Sequence, residues 1–312
     1  MTRPERMIVA LDIGGTKIAS ALVDGTGVLR SPVSRISTPR EGDGIVRAVI
    51  EQAIAARDAA DGRVDAIGIA TAGVIDRRGR VVAATDLLPG WAGRDLADDV
   101  QSALGAPTTV LNDVHATAVA EHALGSARGL ENALIVAVGT GLGGAIVSQG
   151  RLLHGRSGLA GTVAHLPSGL HEGRRCACGE IDHLEPYVSG PGMQLTYRGL
   201  SGRDWKLEQI ADASRQGDAF ALEALASGGR LLGRSLAHLS TTLDPDVVVV
   251  GGGVAGTGDP YWSALRRNFA ENAHDLIAPV PVRAAALGTD APLAGAALAA
   301  VEALTAREEE GR

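Results

Sequence analysis

Two short stretches of this 312-residue chain carry nearly the same pattern, Asp12-Ile-Gly-Gly-Thr-Lys17 and Val138-Gly-Thr-Gly-Leu-Gly-Gly144. Each follows an apolar run that reads as a strand (residues 7–11 and 134–138), turns on glycines with a threonine, and enters a second apolar strand (18–23 and 145–147). The second strands end at further turns, Asp24-Gly25 and Gln149-Gly150. A strand–turn–strand of this kind offers backbone N–H groups and a hydroxyl at its bend, the donors a phosphate chain requires. One glycine hairpin is common as plain structure. Two, one in each half, predict two lobes gripping one nucleotide between them. Gly14, Gly15, Thr16 and Lys17 would lie on one side, and Gly139, Thr140, Gly141 and Gly143 on the other.

The rest of the chain is consistent with a large α/β protein. It is rich in Ala, Val, Leu and Gly, with 45% hydrophobic residues, and its length allows two domains with sizeable cores. A net charge of −7 provides no basic field for nucleic acid or an anionic membrane. No apolar run approaches the roughly 20 residues of a membrane span, and the polar start Met1-Thr-Arg-Pro-Glu-Arg-Met7 lacks the apolar segment of a secretory signal. The only cysteines, Cys176 and Cys178, form one Cys-x-Cys, which excludes a disulfide framework and predicts a reducing, cytoplasmic setting.

The first third reads as strand, hairpin, helix, strand, helix, strand. Helical periodicity covers 45–60 and 96–104, a buried strand 64–70, a short edge strand 80–83, and a further strand 109–111 ends in Asn112-Asp113. A helix from about His115 to Leu124, with Gly125 as its C-cap, reads as the hinge into a second domain. Past the second glycine turn comes a loop-rich insert, 151–192. A long helix at 218–243 follows, with Leu222, Leu225, Leu232, Leu236, Leu239 and Leu243 on one face. A buried strand at 246–250 runs into Gly251-Gly252-Gly253, and Asp259-Pro260 reads as the N-cap and first residue of the next helix. A last helix near 291–304 is expected to return to the first domain, with a frayed tail from Glu308 to Arg312. The expected division is therefore 1–114 plus 291–312, against 115–290 with the insert 151–192.

Four groups of residues carry candidate chemistry. Asp12, at the end of the first strand, can hold hydrated Mg²⁺ beside the phosphate turn, or can satisfy the N–H groups of the turn itself. Asn112-Asp113 can bind two adjacent hydroxyls, with the carboxylate accepting a proton from one of them; alternatively Asp113 caps the helix that follows. His165, Cys176, Cys178 and His183 form a Cys₂His₂ set of the kind a structural zinc ion prefers, with His171 as a competing ligand. The polar, glycine-rich segment 156–175 needs such a staple to become ordered. Gly252 and Gly253 permit close approach of backbone to a flat ring or a ribose.

In this order the motifs resemble the ROK family of bacterial sugar kinases and repressors, over essentially the whole chain. The resemblance implies a two-lobed actin-like ATPase fold, ribonuclease H-like in each lobe, with an interdomain cleft. It makes the two glycine turns the phosphate motifs and Val250-Gly-Gly-Gly253 the adenosine-side motif. Asn112-Asp113 becomes the sugar-binding pair, with Asp113 as catalytic base. Thr71-Ala-Gly73 and Pro89-Gly-Trp-Ala-Gly93 resemble loops lining the sugar site. The segment from His165 through Cys176-Ala-Cys178-Gly-Glu-Ile-Asp-His183-Leu-Glu185 is similar to the family's zinc and sugar signature.

The departures from that signature are specific. His183 stands where the family has a third cysteine, Asp182 where it has glycine, and Thr162-Val-Ala-His165 where it has Glu-x-Gly-His. The missing glutamate and the Gly158-Leu-Ala-Gly161 run resemble bacterial N-acetylmannosamine kinases. A shorter neutral residue at 162 removes a carboxylate and leaves space for an N-acyl group. The resemblance thus implies ATP-dependent phosphorylation of the 6-hydroxyl of an N-acylhexosamine, with Mg²⁺ and structural zinc. Gly73, Asn112, Thr162, His165 and Glu185 would lie around the sugar. A homodimer or higher homo-oligomer is expected. The alternatives are a glucokinase or general hexokinase of the same family, a sugar-binding pseudokinase, and a sugar-responsive regulator. The acidic charge and the near-immediate first strand speak against the regulator. Retention of Asp12, Asp113 and both turns speaks against the pseudokinase.

Overall fold

The computed structural model describes residues 6–60, 63–85 and 88–311. The N-terminal residues 1–5 of the polar start, and Arg312 of the tail, lie outside these. The chain forms β1 (Met7–Ile13), β2 (Lys17–Asp24), β3 (Ser34–Ser37), α1 (Gly42–Asp58), β4 (Ala66–Thr71), β5 (Val74–Ile75), β6 (Val81–Ala83), α2 (Leu96–Leu104), β7 (Thr108–Asn112) and α3 (Asp113–Ala123). These are followed by β8 (Ala133–Val138), β9 (Leu142–Ser148), β10 (Arg151–Leu152), α4 (Glu185–Val188), α5 (Gly190–Ser201), α6 (Leu207–Arg215) and α7 (Ala219–Leu243). The last elements are β11 (Val247–Gly251), α8 (Asp259–Asn272), β12 (Val282–Ala284) and α9 (Ala291–Glu310).

The chain divides into two compact units, 1–128 with 152–160 and 289–312, and 129–151 with 161–288. The first contains a five-stranded sheet in the order β3-β2-β1-β4-β7, the second a sheet in the order β10-β9-β8-β11-β12. In both, the first two strands form an antiparallel hairpin, and two later strands add in parallel on the other side of the first. This is the ribonuclease H-like order used twice, the actin-like ATPase fold.

The sequence explains why the central strands are apolar throughout. Along β1 the odd-numbered Val9, Leu11 and Ile13 pack with Ile45 and Val49 of α1. Ile8 and Ala10 point the other way, onto Leu293 and Ala297 of α9. A strand covered on both faces has no solvent side on which to alternate. In the second unit α7 and α8 pack beside β8 and β11 around a core that includes Val136, Val250, Leu232 and Leu265. Among the described residues no helix is long and apolar enough to cross a membrane.

Several boundaries differ from the expected ones, each for a local reason. The second turn is shorter than its sequence pattern: Leu142 and Gly143 already pair with Val138 and Ala137, so only Gly139, Thr140 and Gly141 form the bend. Helix α3 opens at Asp113 because Asn112, not Asp113, is its N-cap. It closes at Leu124, and Gly125 is not left-handed. The buried Glu121 side chain fills the space a Cβ on Gly125 would need and accepts the Ser126 N–H at 2.8 Å. Gly258 caps α8 and Asp259 is its first residue, accepting from Ser263 Oγ at 2.9 Å. The expected frayed tail is helical to Glu310, with Glu308 held by Arg6 at 2.6 Å.

Candidate active site

In the first unit, β1, β4 and β7 are parallel and in register, with Ile13 beside Thr71 and Thr71 beside Asn112. Their carboxyl ends therefore finish in one row, and the loops leaving that row carry the candidate residues, as in other parallel α/β sheets. Asn112 Oδ1 accepts the N–H groups of Val114 (2.9 Å) and His115 (3.2 Å), capping α3. Its Nδ2 donates to the Gly73 carbonyl at 3.0 Å, which fixes the loop after β4. Because Asn112 supplies the cap, Asp113 is displaced onto the first turn of the helix, half-buried, with Oδ1 on the Val114 N–H at 2.9 Å. Burial pushes its carboxyl above the usual range, opposed by hydrogen bonds from the backbone and from Asn112. A carboxylate so placed is a better proton acceptor than a free one.

Asp12 lies one residue before the end of β1 and accepts no hydrogen bond among the described residues. Burial, and then the charge of Asp113, pushes its carboxyl up to about 7, with Arg35 pulling it down and Asp290 pushing it up. Arg35 on β3 and Asp290 before α9 form an ion pair at 2.5 Å. Neither belongs to a glycine motif, so no sequence signal marks either. An unpartnered, partly buried carboxylate repelled by a second one is a donor set suited to a hydrated divalent cation.

The two glycine turns are each tied back on themselves, across three residues in the first and two in the second. In each, the first glycine closes the bend: Gly14 N–H on the Lys17 carbonyl and Gly139 N–H on the Gly141 carbonyl, both at 2.9 Å. Gly14 and Gly139 are thus occupied by the turns themselves. The next two N–H groups, of Gly15 and Thr16 and of Thr140 and Gly141, have no backbone acceptor among the described residues. Those are the donors left for an anion. Lys17 is the exposed first residue of β2, whereas Gly143 is a ladder residue inside β9.

The second unit gathers three of the predicted motifs. Gly252 has φ +88°, and a Cβ there would stand 2.3 Å from the Val138 carbonyl oxygen, so only glycine lets this loop reach the second turn. Gly253 opens a short 3₁₀ segment, with open space where a side chain would be. Glu185 reaches the same turn: its Oε2 accepts the Leu142 N–H at 2.9 Å and would be 2.8 Å from a Cβ on Gly141. Its own N–H binds the Ala164 carbonyl at 3.1 Å. A residue expected at the sugar therefore also ties the His165 segment to the second glycine turn.

The ligand atoms of His165, Cys176, Cys178 and His183 all lie within 4.8 Å of one another. Cys176 Sγ is 3.6 Å from His165 Nδ1, and Cys178 Sγ is 3.3 Å from His183 Nδ1. A tetrahedral ion with Zn–S of about 2.3 Å and Zn–N of about 2.0–2.1 Å implies S···N separations of about 3.6 Å. The set fits zinc, and His183 rather than His171 completes it. Asp182, in the family's glycine position, has φ +57°. Its carboxylate compensates by accepting the Arg174 N–H at 3.0 Å and the Tyr187 hydroxyl. Ala164 is buried with an ordinary backbone and leaves His165 within the cluster. Thr162 is half-buried. Trp91, expected in a sugar-lining loop, is fully buried and donates to Thr71 Oγ1 at 3.0 Å, so its ring supports the loop from beneath.

A duplicated ribonuclease H-like fold with a glycine turn in each half, the carboxylates of Asp12 and Asp113 in one and a Cys₂His₂ knuckle in the other is that of an actin-like phosphotransferase class. The profile of the ROK family matches residues 8–303, and the chain belongs to that family. It is 36% identical over 296 residues to the N-acetylmannosamine kinase of Yersinia pseudotuberculosis, covering 93% of this chain and 97% of that one. The ROK hexokinase of Thermus thermophilus superimposes with a TM-score of 0.85 at 35% identity, covering 96% and 99% of the two chains. The ROK family glucokinase of Streptomyces griseus, solved with glucose and AMPPNP, gives 0.81 at 32%, covering 95% and 99%.

Proposed function

We propose that this ROK-family sugar kinase transfers the γ-phosphoryl group of ATP to the 6-hydroxyl of an N-acylhexosamine, N-acetylmannosamine above all. The observation that carries the chemistry is Asp113, freed from capping by Asn112 and made more basic by burial. Its carboxylate takes the hydroxyl proton as the sugar oxygen attacks the γ-phosphorus in line and ADP departs. The N–H groups of Gly15, Thr16, Thr140 and Gly141 receive phosphate oxygens, and Gly252 and Gly253 leave room for the nucleoside. A divalent cation held through Asp12 would supply neutralising charge to the triphosphate. Gly73, Asn112, His165 and Glu185 orient the ring hydroxyls, with His165 and its partners in the knuckle, Cys176, Cys178 and His183, fixed by zinc.

Thr162 supports the N-acyl assignment, since it offers no carboxylate against the substituent at C2, and the Yersinia relative supports it further. Glucose phosphorylation is the second reading, favoured by the Streptomyces griseus likeness. A coupled assay over glucose, mannose, N-acetylglucosamine and N-acetylmannosamine separates them. The highest kcat/KM is expected for N-acetylmannosamine; a maximum at glucose would replace the assignment with glucokinase, and no turnover on any sugar would remove the kinase reading.

A further inference from the structure

The second unit contains a cavity of about 320 Å³ that none of the motifs above uses, walled by α7, by Asn268 of α8 and by the knuckle segment. Three arginines line it, Arg174, Arg230 and Arg234, against a single glutamate, Glu172, in a chain whose net charge is −7. Arg174 is fully engaged. It binds Glu172 through Nε and Nη2, binds Thr196 Oγ1 and the Gly192 carbonyl through Nη1, and stacks 4.4 Å from the centre of the Tyr187 ring. It builds the wall.

Arg230 and Arg234 are different. They stand one turn apart on α7, where like charges repel. Each uses one Nη2: Arg230 on Glu223, and Arg234 on the Ser168 carbonyl at 2.8 Å. The Nε–H and Nη1 donors of both have no acceptor among the described residues, and both side chains open on the same cavity. Guanidinium donors in this number suit a tetrahedral oxyanion better than a single carboxylate. The cavity is several times the volume of one phosphate group and has an apolar side formed by Leu170 and Leu231, so an ester carrying a small organic group fits it.

We infer that this cavity binds a phosphate monoester dianion, held by Arg230 and Arg234 at a place distinct from the residues that handle ATP and sugar. The inference stands without the kinase reading. Calorimetric titration of the full-length zinc-loaded protein with glycerol 3-phosphate, a monoester that is not a hexose phosphate, tests it. Arg230 is 43% exposed, so R230Q is expected to melt as wild type does. R230Q should weaken binding by about tenfold or more, as the loss of charged hydrogen bonds implies. R230K, which keeps the charge without the fork, should fall between, and kcat/KM for the sugar should not change in either. Equal affinity in wild type and both variants would place the ester elsewhere and overturn the proposal, as would no binding by wild type at millimolar ester.

Discussion

The two units repeat one topology, yet their equivalent strands are chemically unlike. Asp12-Ile13-Gly14 leads into the first turn and Ala137-Val138-Gly139 into the second, at matching places in the two hairpins. Where the first unit has a carboxylate that burial and Asp113 have made a weak acid, the second has alanine. Where the first ends β7 with Asn112-Asp113, the second ends β12 with Ala284-Ala285 and instead carries the knuckle. Both units keep a glycine turn, but the carboxylates beside them differ: Asp12 before the first accepts no hydrogen bond among the described residues, whereas Glu185 at the second accepts the Leu142 N–H. On the proposed function, proton and cation chemistry would fall to Asp113 and Asp12 of the first unit, and the second would add the donors of its own turn and the Cys₂His₂ cluster.

The largest expected effect tests the half that holds Asp12 and Asp113. Asp113→Asn preserves shape and removes the base, so kcat should fall by about 10²–10⁴-fold while sugar affinity by calorimetry stays near wild type. An unchanged kcat would leave Asp113 as a helix-end residue and remove the contrast. Breaking the knuckle with Cys178→Ser should next take bound zinc from one per chain to none and raise KM for the sugar more than for ATP, checked by metal analysis of untagged protein. Stoichiometric zinc in the variant, or full activity without it, would contradict the role given to the second half.

Asp12 provides a pH test. Its carboxyl sits at about 7 when folded against 3.8 ordinarily, so the folded state holds the proton more tightly. Stability from this group is therefore fully present below its ordinary pKa and lost as pH rises to about 7. The loss is at most about 4 kcal/mol at 1.36 kcal/mol per unit. Asp12→Asn should flatten that slope in denaturant titrations of ligand-free protein at pH 4.5 and pH 8, making the variant the more stable one at pH 8. A parallel slope would mean that Asp12 is ionised at no cost. The smallest effect concerns the sugar loop. Thr162→Glu should raise kcat/KM for glucose relative to N-acetylmannosamine by about ten- to a hundredfold, the worth of a charged hydrogen bond of roughly 1.5–3 kcal/mol. An unchanged ratio would show that residue 162 does not face C2.

What the sequence disclosed followed from how local each signal is. The hairpins, the buried strands and the helix at Leu96–Leu104 depend on neighbours in the chain, and they were legible. The extent of the second turn was not, because Leu142 and Gly143 enter the ladder only through pairing with Val138 and Ala137. Helices α5 and α6 were missed. Gly190-Pro-Gly192 reads as a loop, but Ser189 caps the Gly192 N–H at 3.2 Å, Pro191 sits in the first turn, and Met193 and Tyr197 bury the helix against the core. Tertiary partners likewise decided the roles of side chains. Asn112 against Asp113 as the cap, and Asp182 in a glycine position, are settled by bonds to Val114, His115, Arg174 and Tyr187. Arg35 and His115 carried no motif at all. The His115 ring nitrogen lies 3.0 Å from the Ala160 carbonyl, and burial holds its pKa below the usual value.

One contact has a thermodynamic consequence. Glu185 holds the Leu142 N–H with its side chain and the Ala164 carbonyl with its backbone, so one residue joins the second glycine turn to the His165 segment. On the proposed function, a ring hydroxyl that draws Oε2 away from the Leu142 N–H would loosen the turn beside Thr140 and Gly141. Linkage then requires reciprocity: whatever factor the sugar imposes on the affinity for ATP, ATP imposes on the affinity for sugar. The coupling between the two substrates would then rest on a single carboxylate, whichever of them binds first.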